Sequence, residues 1–361
     1  MRWDALRTNV PADAQPREPS APVLFEHGAV TRTFDTPAFR GMTFYEIQAR
    51  SIINRVPDAS RVPFRWTINP YRGCSHSCVY CFARKSHTYL DFDAGHDFDS
   101  KIVVKVNAPE LARKELAAPR WRGEHVAMGT NVDCYQRAEG RYRLMPGILT
   151  ALRDAANPFS ILTKGTLILR DLELICQAAE VTDVGLAVSV GCTDETLWRE
   201  LEPGTPSPQR RLEVCAAFAA VGLPCAVLMG PVVPFLSDSP EQLDATVRQI
   251  AAAGASSVTP IVLHLRPGAR EWFFRWLGTQ HPGLMPRYRG LYGHGAYASA
   301  AYQRRVTEHV QALARKYRVG ADAPRPRQHD RPPPRFLGAR RPGEPVTGGP
   351  AATAPAQLRL L

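Results

Sequence analysis

A chain of 361 residues that is 44% hydrophobic and 22% charged is long enough to bury a large core and too apolar to be wholly disordered. Lys and Arg number 45 against 34 Asp and Glu, a net charge of +11 that fits a polyanionic partner. Eight cysteines, with no apolar run near Met1, favour reduced thiols and metal binding over a disulfide framework, in a cytoplasmic setting.

Residues 1–27 are polar, contain Pro and Ala, and show no sustained period; they are expected to be flexible. Residues 28–63 are read as an N-terminal extension packed on the core. From residue 64 to 265, apolar strand segments alternate with helical ones. The main strands are predicted at 64–68, 125–129, 159–163, 185–190, 226–229 and 257–263, with an extra strand at 102–106. Helices are predicted at 109–117, 145–155, 171–179, 208–221 and 240–253. Strand–helix alternation implies parallel pairing through right-handed crossovers, and apolar strands imply a sheet covered on both faces. Six such units fit an open doubly wound sheet or an incomplete barrel, and periodicity does not choose between them.

One window, 214–237, carries no charge and is long enough to raise the question of a membrane span. Gly222, Pro224, Gly230, Pro231 and Pro234 break it into a helix end, a turn and a buried strand, so no span is expected. Residues 266–320 read as a helical extension, with a last helix over 297–316. Residues 321–361 hold nine Pro and seven Arg against three acids, the composition of a disordered basic tail.

The chemistry concentrates in Asn69-Pro-Tyr-Arg-Gly-Cys74-Ser-His-Ser-Cys78-Val-Tyr-Cys81-Phe82. Three thiolates at Cys-x₃-Cys-x₂-Cys spacing suit three corners of one cubane cluster. The fourth iron then has no protein ligand and is open to a small molecule, whereas an electron-transfer cluster uses four cysteines. The next cysteine is Cys134, far along the chain. Gly73 allows close backbone approach, and Arg72 is a candidate to offset the thiolate charge. The alternative is a zinc site completed by His76 or His87.

Cys74, Cys78 and Cys81, with Tyr80 before the last of them, resemble the radical S-adenosylmethionine signature. The likeness extends to the spore photoproduct lyase-like, or DNA repair photolyase-like, branch. Tyr71-Arg-Gly-Cys74, Tyr80-Cys-Phe-Ala-Arg84, Leu162-Thr-Lys164, Ser189 and Leu201-Glu-Pro-Gly-Thr-Pro-Ser-Pro-Gln-Arg-Arg-Leu212 carry it. The resemblance implies a partial (β/α)₆ TIM-type barrel with flexible N- and C-terminal extensions. It implies a [4Fe–4S] cluster on the three cysteines, whose open iron chelates S-adenosylmethionine and whose electron yields a 5′-deoxyadenosyl radical. Lys164 and Ser189 would contact the cofactor, and Tyr80 or Phe82 would lie against its adenine. The implied partners are an external one-electron reductant of flavodoxin or ferredoxin type and a nucleic acid substrate.

One departure stands out. In that branch a cysteine at the end of the second strand donates a hydrogen atom, and here Thr130 takes its place. Cys134 lies just beyond the matching Asp133 and is either the displaced donor or a buried structural thiol. Cys176, Cys192, Cys215 and Cys225 read as core residues, and His264 as a satisfied structural histidine. Of Arg210 and Arg211, one is expected to reach a carboxylate and the other to be solvated. Trp272, Phe273, Phe274 and Trp276, among Arg266, Arg270 and Arg275, suit either nucleic-acid stacking or a helix packed on the barrel edge. The reading that competes with a radical enzyme is a non-catalytic iron–sulfur or zinc module that binds nucleic acid.

Overall fold

In the computed structural model, which describes residues 28–324 except 59, 61 and 294, the strands build two sheets. They are β1 (Val30–Arg32), β2 (Thr43–Ile47), β3 (Ile53–Arg55), β4 (Trp66–Ile68), β5 (Tyr71–Arg72), β6 (Lys101–Lys105), β7 (Val126–Met128), β8 (Phe159–Thr163), β9 (Val184–Ser189), β10 (Cys225–Val232) and β11 (Ser257–Val262). The larger sheet runs β11-β10-β9-β8-β7-β4-β3. From β4 to β11 every neighbouring pair in it is parallel, and β3 closes one edge antiparallel to β4. The six parallel strands are the six predicted, and the sheet does not close on itself. The predicted extra strand is β6. It lies in a second sheet, β1-β2-β6-β5, parallel to β2 and antiparallel to β5, which leads into the cysteine loop. The predicted flexible segment 1–27 and tail residues 325–361 lie outside the described residues.

Local chemistry sets the helix starts. Ser207 and Ser239 accept the N–H of Arg210 and Gln242, and Pro208 and Pro240 occupy the first helical turn. Thus the helices Pro208–Ala220 and Pro240–Ala252 begin where the sequence predicts. The last helix runs Ala300–Lys316, three residues shorter at its start than expected. Ser299 caps it, and Tyr297 is drawn off into a β-bridge with His264. The charge-free window divides between the helix Pro208–Ala220 and β10. Among the described residues no helix is long and apolar enough to cross a membrane.

Helices Ala108–Leu116, Leu144–Asp154 and Leu172–Val181 cover the outside of the parallel sheet. Their buried Leu116, Ile148, Leu149, Leu152 and Ile175 form one core with Val126, Met128, Phe159 and Ile161. A second core joins Cys78 and Tyr80 to the C-terminal helices through Phe273, Tyr288 and Tyr292. The cysteine loop therefore lies at a seam between cores, past the C-terminal end of β4, the edge at which barrel sites form.

Candidate functional site

The cysteine loop is held from several sides. Gln136, fully buried, accepts the Ser75 N–H at 2.9 Å and donates to the Gly73 carbonyl at 2.9 Å. Gly73 has φ +81°, a left-handed conformation, and an added Cβ would stand 2.9 Å from both His87 and the Lys101 carbonyl. Arg84, 0% exposed, donates to the Cys78 carbonyl at 2.9 and 3.2 Å and to the Gly95 carbonyl at 2.9 Å. It meets Asp99 through two contacts of 2.9 and 3.0 Å, and its guanidinium lies over Phe98 and Trp272. Arg84 is therefore the buried cation beside the loop; Arg72, expected in that role, sits half-buried in β5.

All three loop cysteines are free thiols, with Cys74 and Cys78 buried and Cys81 partly so. Burial pushes each thiol's pKa up, reinforced at Cys74 by Asp133 and the other two sulfurs and opposed at Cys81 by Arg84. A bare thiolate is disfavoured at so buried a loop, and a bound metal would offset that charge. The donor set fits a cubane lacking one ligand. Cys134 is fully buried elsewhere, within electrostatic reach of Asp133, Glu139 and Asp171. Each histidine has one ring nitrogen engaged, and His87 Nδ1 is buried without a partner. His87 bonds the Lys101 carbonyl at 2.8 Å, and His76 lies 3.4 Å from Asp133 with its pKa lowered by burial. Among the described residues no three His, Cys, Asp or Glu side chains, the loop cysteines included, converge closely enough to hold one metal ion.

Lys164, one residue past β8, joins three strand ends. Its Nζ donates to Ser189 Oγ at 2.5 Å and to the Gly230 carbonyl at 3.4 Å, and Ser189 itself donates to that carbonyl at 2.8 Å. It also lies 3.3 Å from Glu202 and 5.9 Å from the Tyr80 ring centroid. Asp133 fixes the approach by accepting the Lys164 N–H at 2.6 Å and the Thr163 hydroxyl at 2.7 Å. Sequence reasoning did not single out Glu202, because its partners lie far away along the chain. Its carboxylate accepts bonds from Tyr80 and Arg211. Burial pushes the Glu202 pKa up, but Arg211 and Lys164 outweigh it and hold the group at about 2. Arg211 is the arginine that reaches a carboxylate, while Arg210 is exposed and 3.6 Å from Glu213.

The structure thus brings Tyr80, Lys164 and Ser189 together beside the cysteine loop. Cys192, read as a core residue, lines a small cavity there with Tyr80, Gly191, Trp198, Leu201, Glu202 and Pro231. Phe82 is not part of that cavity's lining and is 47% exposed. It forms an outer rim with Arg266, 5.8 Å from its ring, whose guanidinium reaches the Tyr297 hydroxyl at 3.3 Å. His264 packs its ring 4.6 Å from Tyr297, and burial lowers its pKa to about 4. Phe273 is fully buried and Trp272 covers Arg84, so that aromatic run packs a helix onto the barrel.

A profile of the Radical SAM superfamily matches residues 68–250. An uncharacterized protein of Mycobacterium bovis is 49% identical over 322 residues, covering 89% of this chain and 94% of that one. An uncharacterized protein of Methanocaldococcus jannaschii is 29% identical over 195 residues, 54% of this chain and 69% of that one. Among solved structures, spore photoproduct lyase complexed with dinucleoside spore photoproduct is similar in fold. Its TM-score is 0.56 at 15% identity, covering 77% of this chain and 80% of that one. A mutant of that enzyme with bound AdoMet and photoproduct gives 0.54 at 15% identity, over 73% and 77%.

Proposed function

We propose a function from one premise: the chain belongs to the radical SAM superfamily, whose members use a [4Fe–4S] cluster and S-adenosylmethionine. In this reading Cys74, Cys78 and Cys81 each hold one iron, and the site that Tyr80, Lys164 and Ser189 form beside them takes the cofactor. Together the two groups supply reductive cleavage of a sulfonium to a 5′-deoxyadenosyl radical. The observation that carries the reading is the placement of a three-thiol loop against a lysine–serine pair at the C-terminal ends of β8 and β9. A module that only held a cluster would have no use for that pair.

Each residue then has a task. Lys164 offers its ammonium to the methionine carboxylate, as a point charge on a stem fixed by Ser189. Tyr80 presents its ring to the adenine. Phe82, Arg266 and Tyr297 form a rim that suits stacking and phosphate contact. The substrate we propose is nucleic acid, supported by that rim, by the charge of +11 and by a fold shared with an enzyme solved with a dinucleoside photoproduct. The electron comes from a flavodoxin- or ferredoxin-type carrier, in the cytoplasm.

Anaerobic reconstitution with iron and sulfide, followed by reduction in the presence of S-adenosylmethionine, tests this directly. Formation of 5′-deoxyadenosine is the expected result; a colourless zinc protein would sink the reading. Lys164→Ala is expected to keep its iron and to bind S-adenosylmethionine roughly 10- to 150-fold more weakly, the loss of one charge-assisted bond. Calorimetric titration of the reconstituted variant measures it. For Cys134, proposed as hydrogen-atom donor, the expectation is a dissociation of two products. Cys134→Ala should still release 5′-deoxyadenosine at the wild-type rate but should lose the repaired nucleic acid. Unchanged repair would leave Cys134 a structural thiol.

A further inference from the structure

The segment from Leu201 to Leu212 lies directly on the cysteine loop. The Leu201 carbonyl accepts the Val79 N–H at 3.0 Å, and the Gly204 N–H donates to the His76 carbonyl at 3.1 Å. Gly204 admits no side chain, since a Cβ there would stand 2.1 Å from the Ser75 carbonyl oxygen. Glu202, 5% exposed, lies within this seat. One carboxylate oxygen takes the Tyr80 hydroxyl and lies 3.3 Å from the Lys164 ammonium. The other takes Arg211 at 2.5 Å, while the Thr205 hydroxyl donates to the Glu202 backbone carbonyl at 2.8 Å. Arg211, 1% exposed, continues to the Ser189 carbonyl at 2.7 Å and the Pro206 carbonyl at 3.0 Å.

We propose that Glu202 is the positioning residue of the cofactor pocket, fixing the Tyr80 ring, the Lys164 ammonium and, through Arg211, the Ser189 backbone in one arrangement. The proposal rests on the reading that this pocket takes S-adenosylmethionine. A carboxylate offers two oxygens with about four lone-pair directions. Three donors, Tyr80, Lys164 and Arg211, converge on them here. Tyr80 and Lys164 share one oxygen, so neither moves without the other losing a partner. Buried ionic networks add little net stability over apolar packing of the same shape, so stability alone does not call for this one. Glutamine keeps the shape but replaces one oxygen with an NH₂ group, which then meets Lys164 or Arg211 donor to donor.

The test uses full-length reconstituted protein. It records iron per chain, the dissociation constant for S-adenosylmethionine by calorimetry, and the change the cofactor makes in the electron paramagnetic resonance spectrum of the reduced cluster. Glu202→Gln is expected to keep wild-type iron and to bind on the order of 10- to 100-fold more weakly, with the wild-type spectral change reached only at correspondingly higher cofactor concentration. Tyr80→Phe is expected to weaken binding although it keeps its ring, and to add little when combined with Glu202→Gln. If Glu202→Gln fails to fold, Tyr80→Phe alone replaces it, since it removes one partner of the carboxylate and keeps the ring, and wild-type affinity in Tyr80→Phe then overturns the proposal. Additive losses, or wild-type affinity in Glu202→Gln, overturn the proposal while leaving the pocket in place. A wild-type protein that assembles its cluster yet binds no S-adenosylmethionine overturns the pocket, and the proposal with it.

Discussion

Cys78→Ala is expected to yield a protein with background iron and sulfide after anaerobic reconstitution. Three thiolates are the fewest that hold three corners of a cubane, and two leave it open to dissolution. The surroundings offer little rescue. Cys134 is fully buried among Asp133, Glu139 and Asp171. Cys192 shares an apolar core with Cys78 and lies beside Tyr80, so it is the thiol to control for. Iron analysis of Cys78→Ala beside Cys78→Ala/Cys192→Ala decides the matter. Wild-type iron in both variants would remove Cys78 from the ligand set.

Arg84→Ala has the second large effect, on stability. Removing one partner of a buried ion pair costs about 3–5 kcal/mol. Here it also strips a donor from the carbonyls of Cys78, Ala94 and Gly95. At about 2.1 cal/mol/K of unfolding entropy per residue over about 300 residues, a loss of that size lowers Tm by roughly 5–8 °C. The deficit should depend on pH with a defined sign. Burial holds Asp99 up at about 6 even with Arg84 opposing. Without the guanidinium its folded pKa rises further above the unfolded value of about 3.9. The folded variant then binds a proton that the unfolded chain does not, so its stability falls as pH rises. Thermal unfolding should show the deficit largest above about pH 7 and shrinking toward about pH 5. A pH-independent deficit would mean that Asp99 finds another partner. Arg84→Lys should recover only part of the loss, because three donors on one nitrogen do not reach three carbonyls and a carboxylate.

The six parallel strands were legible because buried strands announce themselves as short apolar runs such as Phe159–Thr163 and Val184–Ser189. Helix starts were legible where a serine precedes a proline, as at Ser207 and Ser239, and were missed by three residues at 297, where a tertiary bridge claims Tyr297. The second sheet was hidden because β5 has two residues and β1 three, too short to show a period. In the site, the cysteines declared themselves by spacing. Lys164 and Ser189 came through resemblance to a family. Glu202 and Arg84 left no local signal. Glu202 depends on contacts 122 residues away, at Tyr80, and arginines in a sequence read as solvated until a structure shows what surrounds them.

The seat beneath the cysteine loop also sets an order of maturation. Residues 74–81 leave the ribosome long before Leu201, Glu202 and Gly204, which complete their binding surface. At about 5–20 residues per second, the 122 residues between Tyr80 and Glu202 take about 6–24 s to synthesise. During that interval the three thiols have no finished cradle and are open to oxidation or to capture by a competing metal. On the proposed function, cluster assembly on these thiols is therefore expected only after the helix beginning at Pro208 has been made, late in biogenesis.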